Sequence, residues 1–342
     1  MSYRRLYEID ILRFIAALMV VLFHYTIDTS IRHHTTLISS NFLNFLFLHG
    51  KFGVSLFFLI SGFVILMSVQ PDNPAKFIKA RIVRLYPAFI PICILTFIIA
   101  KTFEEGYNVS IRDFLINVSL VGLFATWYKI QLVTGTYWTL IVEMQFYFLI
   151  LILIIFKKVH HIRIFLMAWL TLSILTYFGE LYFNFHTIFN KIRILFLTEH
   201  SYYFIAGCYF YLIKYKRKSY DLIMPILCLM MKLLWIINSP HTTFTFSSIG
   251  IVTSVFIIFY VITLKDLVFT KYAKFYVILG NLTYPLYLLH ELIGDIIISF
   301  LLPYFNKTLL FIFMILLMLG LAYLFNRFIE KPVMGWMKKA IN

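Results

Sequence analysis

The stretch IDILRFIAALMVVLFHY, residues 9–25, decides the class of this protein. It is long and apolar enough to begin a membrane helix, yet it carries Asp10, Arg13 and His24. Ten residues separate Arg13 from His24, and eleven steps of about 100° amount to roughly three helical turns. Both side chains therefore project from nearly the same face, with Asp10 one turn before Arg13. Ionisable groups on one face of a membrane helix are costly unless they line a polar cavity. In the alternative interpretation, Asp10 and Arg13 flank the helix and His24 is a hydrogen-bonded core residue.

Composition extends this conclusion to the whole chain. Of 342 residues, 62% are hydrophobic and 13% are charged, and the mean hydropathy is +0.89. A soluble domain carries about 25% charged residues, so the sequence predicts an integral membrane protein held in a lipid bilayer. The net charge of +15 comes from Lys and Arg in short segments between apolar runs. Such charges orient a protein in the membrane, and we therefore expect no nucleic-acid partner.

The cysteines and histidines give no sign of a metal site. Cys93, Cys208 and Cys228 lie in apolar runs without the spacing of metal ligands or of a disulfide framework. The histidines at 33, 34 and 49 likewise lack ligand spacing, and no metal is expected.

The apolar runs predict an all-α protein with about ten transmembrane helices. They lie near residues 9–27, 52–69, 85–102, 137–156, 162–178, 200–214, 220–237, 247–264, 277–302 and 308–327. The basic clusters can all be cytoplasmic only if a weaker run, 112–126, does not span; both termini are then cytoplasmic. Segment 103–136 becomes an outer-side loop with a re-entrant or interfacial helix. Residues 1–342 are interpreted as a single membrane domain.

Further motifs accompany the first helix in a fixed order. They are GKFGVSLFFLISGFVI (50–65), KFIKARIVRLYPAF (76–89), YWTLIVEMQFYF (137–148), SYYFIAGCYFY (201–211), LGNLTYPLYLLHELI (279–293) and NRFIEKPV (326–333). Together these motifs resemble the membrane acyltransferase-3 family of bacterial O-acyltransferases, over roughly the whole chain. The resemblance implies a multi-pass protein of the bacterial cytoplasmic (inner) membrane. It further implies transfer of an acyl group from cytoplasmic acyl-coenzyme A to a carbohydrate hydroxyl. We expect no appended hydrolase-like domain, which would make the protein similar to the stand-alone carbohydrate O-acetyltransferases.

The chemistry explains why such an enzyme needs His24 and Arg13. A sugar hydroxyl is protonated at neutral pH, and a histidine within hydrogen-bond reach can accept its proton, typically worth about 10²–10⁴-fold in rate. We predict that His24 is this base, although it could instead carry the acyl group covalently. Arg13 precedes His24 by about 16 Å along the helix, so an anionic donor entering from the cytoplasm would pass it first.

The remaining candidate residues have two interpretations each. Arg81 and Arg84, at the cytoplasmic mouth of the third span, either grip the phosphates of the acyl donor or act as ordinary basic anchors. Glu143 and His290 either line the cavity and contact the acceptor, or are structural partners inside the bundle. Trp138 either stacks on a sugar near the outer opening or anchors the interface.

The resemblance, together with the Arg13/His24 face and the Arg81/Arg84 pair, therefore implies acyl-coenzyme-A-dependent O-acylation, expected to be acetylation, of a cell-envelope glycan or lipid-linked sugar. The acyl-coenzyme A is a co-substrate, and no bound cofactor is expected. A transporter of polysaccharide or small solutes without chemistry is the alternative, because membrane charges also suit carriers. Carriers often show paired interrupted helices in two halves, a pattern that this sequence lacks. A sensor or assembly partner that has lost activity is a third alternative.

Overall fold

The structure is a computed structural model that describes residues 6–70, 73–120, 130–182, 186–216, 218–238, 245–264 and 272–341. Throughout these residues the regular structure is helical, and none of them forms a strand. The predicted class, an all-α integral membrane protein, is confirmed.

The described chain forms sixteen α-helices, some of which are preceded or followed by a short π- or 3₁₀-segment. They are α1 (Tyr7–Phe23), α2 (Thr29–His33), α3 (Asn41–Leu48), α4 (Gly53–Ser68), α5 (Pro74–Phe103), α6 (Ile111–Ser119), α7 (Tyr137–Ile155), α8 (Ile162–Tyr182), α9 (His186–Phe196), α10 (Ser201–Tyr215), α11 (Ile223–Ile237), α12 (Thr245–Leu264), α13 (Ala273–Leu289), α14 (Leu292–Leu301), α15 (Lys307–Phe325) and α16 (Lys331–Ile341). Two π-segments, His24–Asp28 and Asn326–Glu330, connect α1 to α2 and α15 to α16.

Within the described ranges, eight helical stretches are long and apolar enough to cross a membrane. A ninth span requires α13 and α14, which meet at a bend of 69°, to be counted together. The remaining predicted run, 200–214, corresponds to α10, whose 15 residues fall short of the ~17–25 that a bilayer requires. By length, the described residues therefore form eight or nine spans, whereas the sequence predicts ten.

Several predicted boundaries change in the structure, among them those of the first, third and ninth spans. The first span continues through the π-segment to His33 rather than ending at residue 27. The third begins at Pro74, because Pro87 and Pro91 lie inside the helix without ending it. The ninth, predicted as continuous over 277–302, is broken after Leu289. Within the predicted outer loop, α6 is a short helix capped by Ser110, and residues 121–129 lie outside the described part.

The contacts divide the chain into two compact units. The first unit contains Ser55–Ile78 and Val142–Thr270, together with the amino terminus up to Ile9. At its centre, α10 is buried from Ser201 to Ile213. This helix packs closely against α4 at Gly207. A Cβ at this position would lie only 2.1 Å from the carbonyl oxygen of Leu59. Close helix packing of this kind depends on small residues.

The second unit comprises Asp10–Val54, Lys79–Ile141 and Lys271–Asn342. Within it, α13 packs against α15, and an apolar cluster of Ala100, Leu292 and Ile296 joins α5 to α14. Tyr25 is fully buried and donates a hydrogen bond of 2.9 Å to the backbone oxygen of His290. This bond ties the first membrane helix to the break between α13 and α14.

Candidate active site

His24 begins the π-segment of the first membrane helix, and its Nδ1 forms a hydrogen bond with the Oδ2 of Asp28. Single π-turns inside α-helices are frequent at functional sites. The His24 side chain is 17% exposed and that of Asp28 28%, so the pair is shielded but not sealed. A carboxylate that holds Nδ1–H leaves Nε2 with its lone pair. This arrangement suits a histidine that accepts a proton.

His290 lies at the break between α13 and α14, beside His24. The centroids of the two imidazole rings are 5.1 Å apart, and the ring planes are inclined by 61°. The His290 Nδ1–H donates to the backbone oxygen of Tyr287 over 2.8 Å, which fixes the neutral tautomer with the lone pair on Nε2. Nε2 is buried and has no hydrogen-bond partner among the described residues. Two imidazoles with available ring nitrogens therefore lie side by side.

Glu291, the next residue, is buried and held from several sides. Its Oε2 accepts hydrogen bonds from the hydroxyl of Thr134 and from the backbone N–H of Thr136, the latter at 2.7 Å. Nη2 of Arg32 lies 3.4 Å from Oε1. A buried carboxylate needs such partners, because an unpaired buried charge is costly. Glu291 thus fixes segment 134–136 to the broken helix.

A second carboxylate on α14 completes this charged cluster. Asp295 accepts a hydrogen bond of 3.0 Å from Arg32 and lies 2.9 Å from Nε2 of His33. Arg32 therefore bridges two carboxylates one helical turn apart. The cluster holds the end of the first membrane helix against the start of α14.

A cavity of about 460 Å³ opens next to this cluster. Its walls come from the end of the first membrane helix, from the start of α14 and from two stretches of the segment between α5 and α7. The lining residues are Arg32, Glu104–Val109, Gln131–Gly135, Glu291 and Leu292. All of them belong to the second unit. One of them, Glu291, directly follows His290 in the chain.

A protein-family model described as an acyltransferase domain, that of the acyltransferase-3 family, matches residues 6–327. The match covers nearly the whole chain and includes every candidate site residue. The chain belongs to the acyltransferase-3 family. No curated protein and no solved structure shows a significant match to it. This acyltransferase-3 protein is therefore an acyltransferase and a multi-pass membrane protein.

The structure of this acyltransferase-3 protein brings two of the predicted residues together, His24 and His290. Asp10 is buried, and its carboxylate packs against Gly280 of α13, where a Cβ would approach it to 2.6 Å. Arg13 lies on α1 between Asp10 and His24 and is partly buried. That Asp10, Arg13 and His24 line one polar cavity stays a prediction, since none of the three is among the residues that line the cavity described above.

Arg81 and Arg84 lie on α5 itself rather than in the segment before it. Arg81 is partly buried, whereas Arg84 is exposed and interacts electrostatically with Glu330. Their spacing of three residues places them on neighbouring positions of one helical face.

Glu143 and Trp138 both lie on α7, but they belong to different units. Glu143, in the first unit, accepts hydrogen bonds of 2.5 Å from the hydroxyls of Ser61 and Tyr147. Trp138, in the second unit, is 40% exposed and does not line the cavity described above. The role predicted for each in acceptor binding stays a prediction.

Sequence reasoning missed Asp28, Arg32, Glu291 and Asp295. Asp28 follows His24 by four residues, a spacing at which helical side chains meet, but the first span was ended at residue 27. On a helix continuous over 277–302, as the sequence predicts, Glu291 would point about 100° away from His290. The break after Leu289 removes that geometry. No local signal pairs Arg32 with Asp295, because 263 positions separate them.

Proposed function

We propose that this acyltransferase takes its acyl group from cytoplasmic acyl-coenzyme A, with acetyl as the expected group. The acceptor is a hydroxyl of a cell-envelope glycan or lipid-linked sugar, and the enzyme acts in the bacterial cytoplasmic membrane. The single observation that carries this proposal is the His24–Asp28 pair inside a membrane helix of an acyltransferase. Membership of that family also favours chemistry over the transporter alternative.

The pair supports general-base catalysis. Asp28 orients the imidazole and stabilises its protonated form, and Nε2 removes the proton from the acceptor hydroxyl. The oxygen forms a bond to the thioester carbonyl carbon, and the C–S bond breaks. The sulfur leaves as a thiolate and takes the proton from Nε2, which yields an ester and a free thiol. The neighbouring His290, whose ring centroid lies 5.1 Å from that of His24, helps to hold the acceptor in this proposal.

A covalent route uses the same residues. In it, Nε2 of His24 receives the acyl group first and passes it to the acceptor in a second step. Incubation with acyl donor in the absence of acceptor, followed by an acid quench, separates the two routes. An added acyl mass on the peptide that contains His24 supports the covalent route, and its absence supports the general-base route.

The arginines supply a place for the donor. Coenzyme A is strongly anionic, and guanidinium groups bind phosphates through paired hydrogen bonds. Arg84 is exposed and Arg81 partly so, and both lie near the start of α5, the end predicted to face the cytoplasm. If they bind the donor rather than merely anchor the helix, replacing both with Gln raises KM for acyl-coenzyme A and leaves membrane insertion unchanged.

The deciding experiment compares envelope glycans from cells that make the wild-type protein, the His24→Ala variant or no protein. We expect the glycans to carry alkali-labile acyl groups only in cells that make the wild-type protein. His160→Ala is the matched control, since this histidine is exposed in another segment and should leave acylation intact. Full acylation by a membrane-inserted His24→Ala protein would remove His24 from the mechanism.

A further inference from the structure

We propose that the 460 Å³ cavity next to Glu291 binds the acceptor, and that it selects a neutral or amine-bearing sugar over an anionic one. This inference rests on the proposed function and adds the class of acceptor. It starts from the position of the cavity. Glu291 lines it and adjoins His290, whose ring lies 5.1 Å from that of His24.

The charges of the lining exclude an anionic ligand. The lining contains three carboxylates, those of Glu104, Glu105 and Glu291, and one guanidinium, that of Arg32, which leaves an excess of two negative charges. Moreover, Arg32 is already engaged by Glu291 and Asp295. Among the lining residues, no uncommitted cation is then left to balance a sugar acid or a sugar phosphate. The ammonium of Lys101 lies beside the lining, but it donates to the backbone oxygen of Tyr107 and lies over the Tyr107 ring. Like-charge contact is a common means by which binding sites reject wrong partners.

The lining suits a polyhydroxyl compound. Carboxylates accept hydrogen bonds from sugar hydroxyls or from an ammonium group, and such charge-assisted bonds are the stronger ones. Asn108 and Gln131 add amide donors and acceptors, and Tyr107 adds an aromatic side chain, whose ring also contacts Phe97 and Lys101. A predominantly polar wall with one aromatic ring fits a carbohydrate better than an acyl chain.

The walls of the cavity are fixed by hydrogen bonds. The hydroxyl of Tyr107 donates to the backbone oxygen of Val133 over 2.9 Å. Burial raises the pKa of this phenol above its usual range, so the proton that makes the bond is retained. The side-chain amide of Asn117 donates to the oxygen of Gln131 and accepts from the N–H of Val133, at 2.9 and 3.1 Å. These hydrogen bonds hold the two wall stretches, 104–109 and 131–135, in defined positions.

The test uses the full-length protein in cells and two variants of the rim. Mass spectrometry of the envelope glycans identifies the residue that carries the alkali-labile acyl group. We expect a neutral or amine-bearing sugar. Glu104→Gln/Glu105→Gln should lower acylation about tenfold, the usual effect of losing a charge-assisted hydrogen bond. Glu104→Lys/Glu105→Lys should lower it further. Asp113→Asn, a carboxylate of the same loop outside the lining, is the control and should acylate as the wild type does.

The outcomes separate this inference from the proposed function. If the envelope glycans of wild-type cells carry no alkali-labile acyl groups, both the proposed function and this inference are wrong. An acyl group on a sugar that bears a carboxylate or phosphate overturns only the inference about the cavity. So does wild-type acylation by both double variants, once membrane extraction and gel filtration show equal amounts of folded protein.

Discussion

Gly135 lies so close to Glu291 that a Cβ on it would be 2.5 Å from Oε1 of the carboxylate. A free glutamate could swing away from such a methyl group. Glu291 cannot do so without cost, because Thr134, the N–H of Thr136 and Arg32 hold its carboxylate. The glycine therefore allows a buried carboxylate to fasten the outer segment to the broken helix.

Gly135→Ala should accordingly displace the Glu291 carboxylate from its partners. We expect a loss of roughly 1–3 kcal/mol in stability, the range for overpacking, and weaker acyl transfer. Thermal unfolding in detergent and the acylation assay measure the two effects. Gly320→Ala is the matched control, since nothing lies within 4 Å of its Cβ position on α15. Equal melting temperatures for the two variants would contradict the role given to Gly135.

Asp28→Asn should lower kcat by about 10²–10⁴-fold, because the imidazole of His24 loses the carboxylate that orients it and stabilises its charge. KM for acyl-coenzyme A should change little. Combining Asp28→Asn with His24→Ala should cost no more than His24→Ala alone, since the two residues act as one unit. Additive losses in the double variant would show that Asp28 works independently of His24.

Asn117→Ala should loosen segment 131–133, because it leaves the partly buried carbonyl of Gln131 and the buried N–H of Val133 without partners. Each such loss costs about 1–3 kcal/mol. Limited proteolysis should then cut between α6 and α7 faster than in the wild type. Arg112→Ala, an exposed position on the same helix, provides the comparison. If both variants resist the protease equally, the amide of Asn117 does not hold this segment.

In the first unit, Asp221→Asn should lower stability without changing the chemistry. Arg163 forms two hydrogen bonds to Asp221, at 2.9 and 2.8 Å, and Asp221 is fully buried. Breaking a buried ion pair typically costs about 3–5 kcal/mol. Arg163→Lys keeps the charge but loses the paired geometry. Its melting temperature should therefore lie between those of the wild type and of Asp221→Asn. A melting temperature of Asp221→Asn equal to that of the wild type would rule out this stabilising role.

Cysteine labelling tests the predicted orientation. Cys93, Cys208 and Cys228 are buried, so the native protein should react little with a membrane-impermeant maleimide. Arg112→Cys, in the predicted outer loop, should react in intact cells. Lys158→Cys, in a predicted cytoplasmic segment, should react only after the membrane is opened. The reverse pattern would invert the topology and move the cavity to the cytoplasmic side.

The sequence by itself determined the membrane class and most of the spans, and it predicted a polar face with Arg13 and His24. Hydropathy and helical periodicity are properties of a short stretch of sequence. Because a stretch of about 20 apolar residues is enough to specify a membrane helix, the spans could be predicted without the tertiary structure. The site required more. Only the tertiary structure decided that Asp28 holds His24, that the ninth span breaks after Leu289, and that His290 reaches His24. These relationships depend on a π-turn and on packing between helices about 265 positions apart in the chain, as for Tyr25 and His290, and no local pattern specifies either.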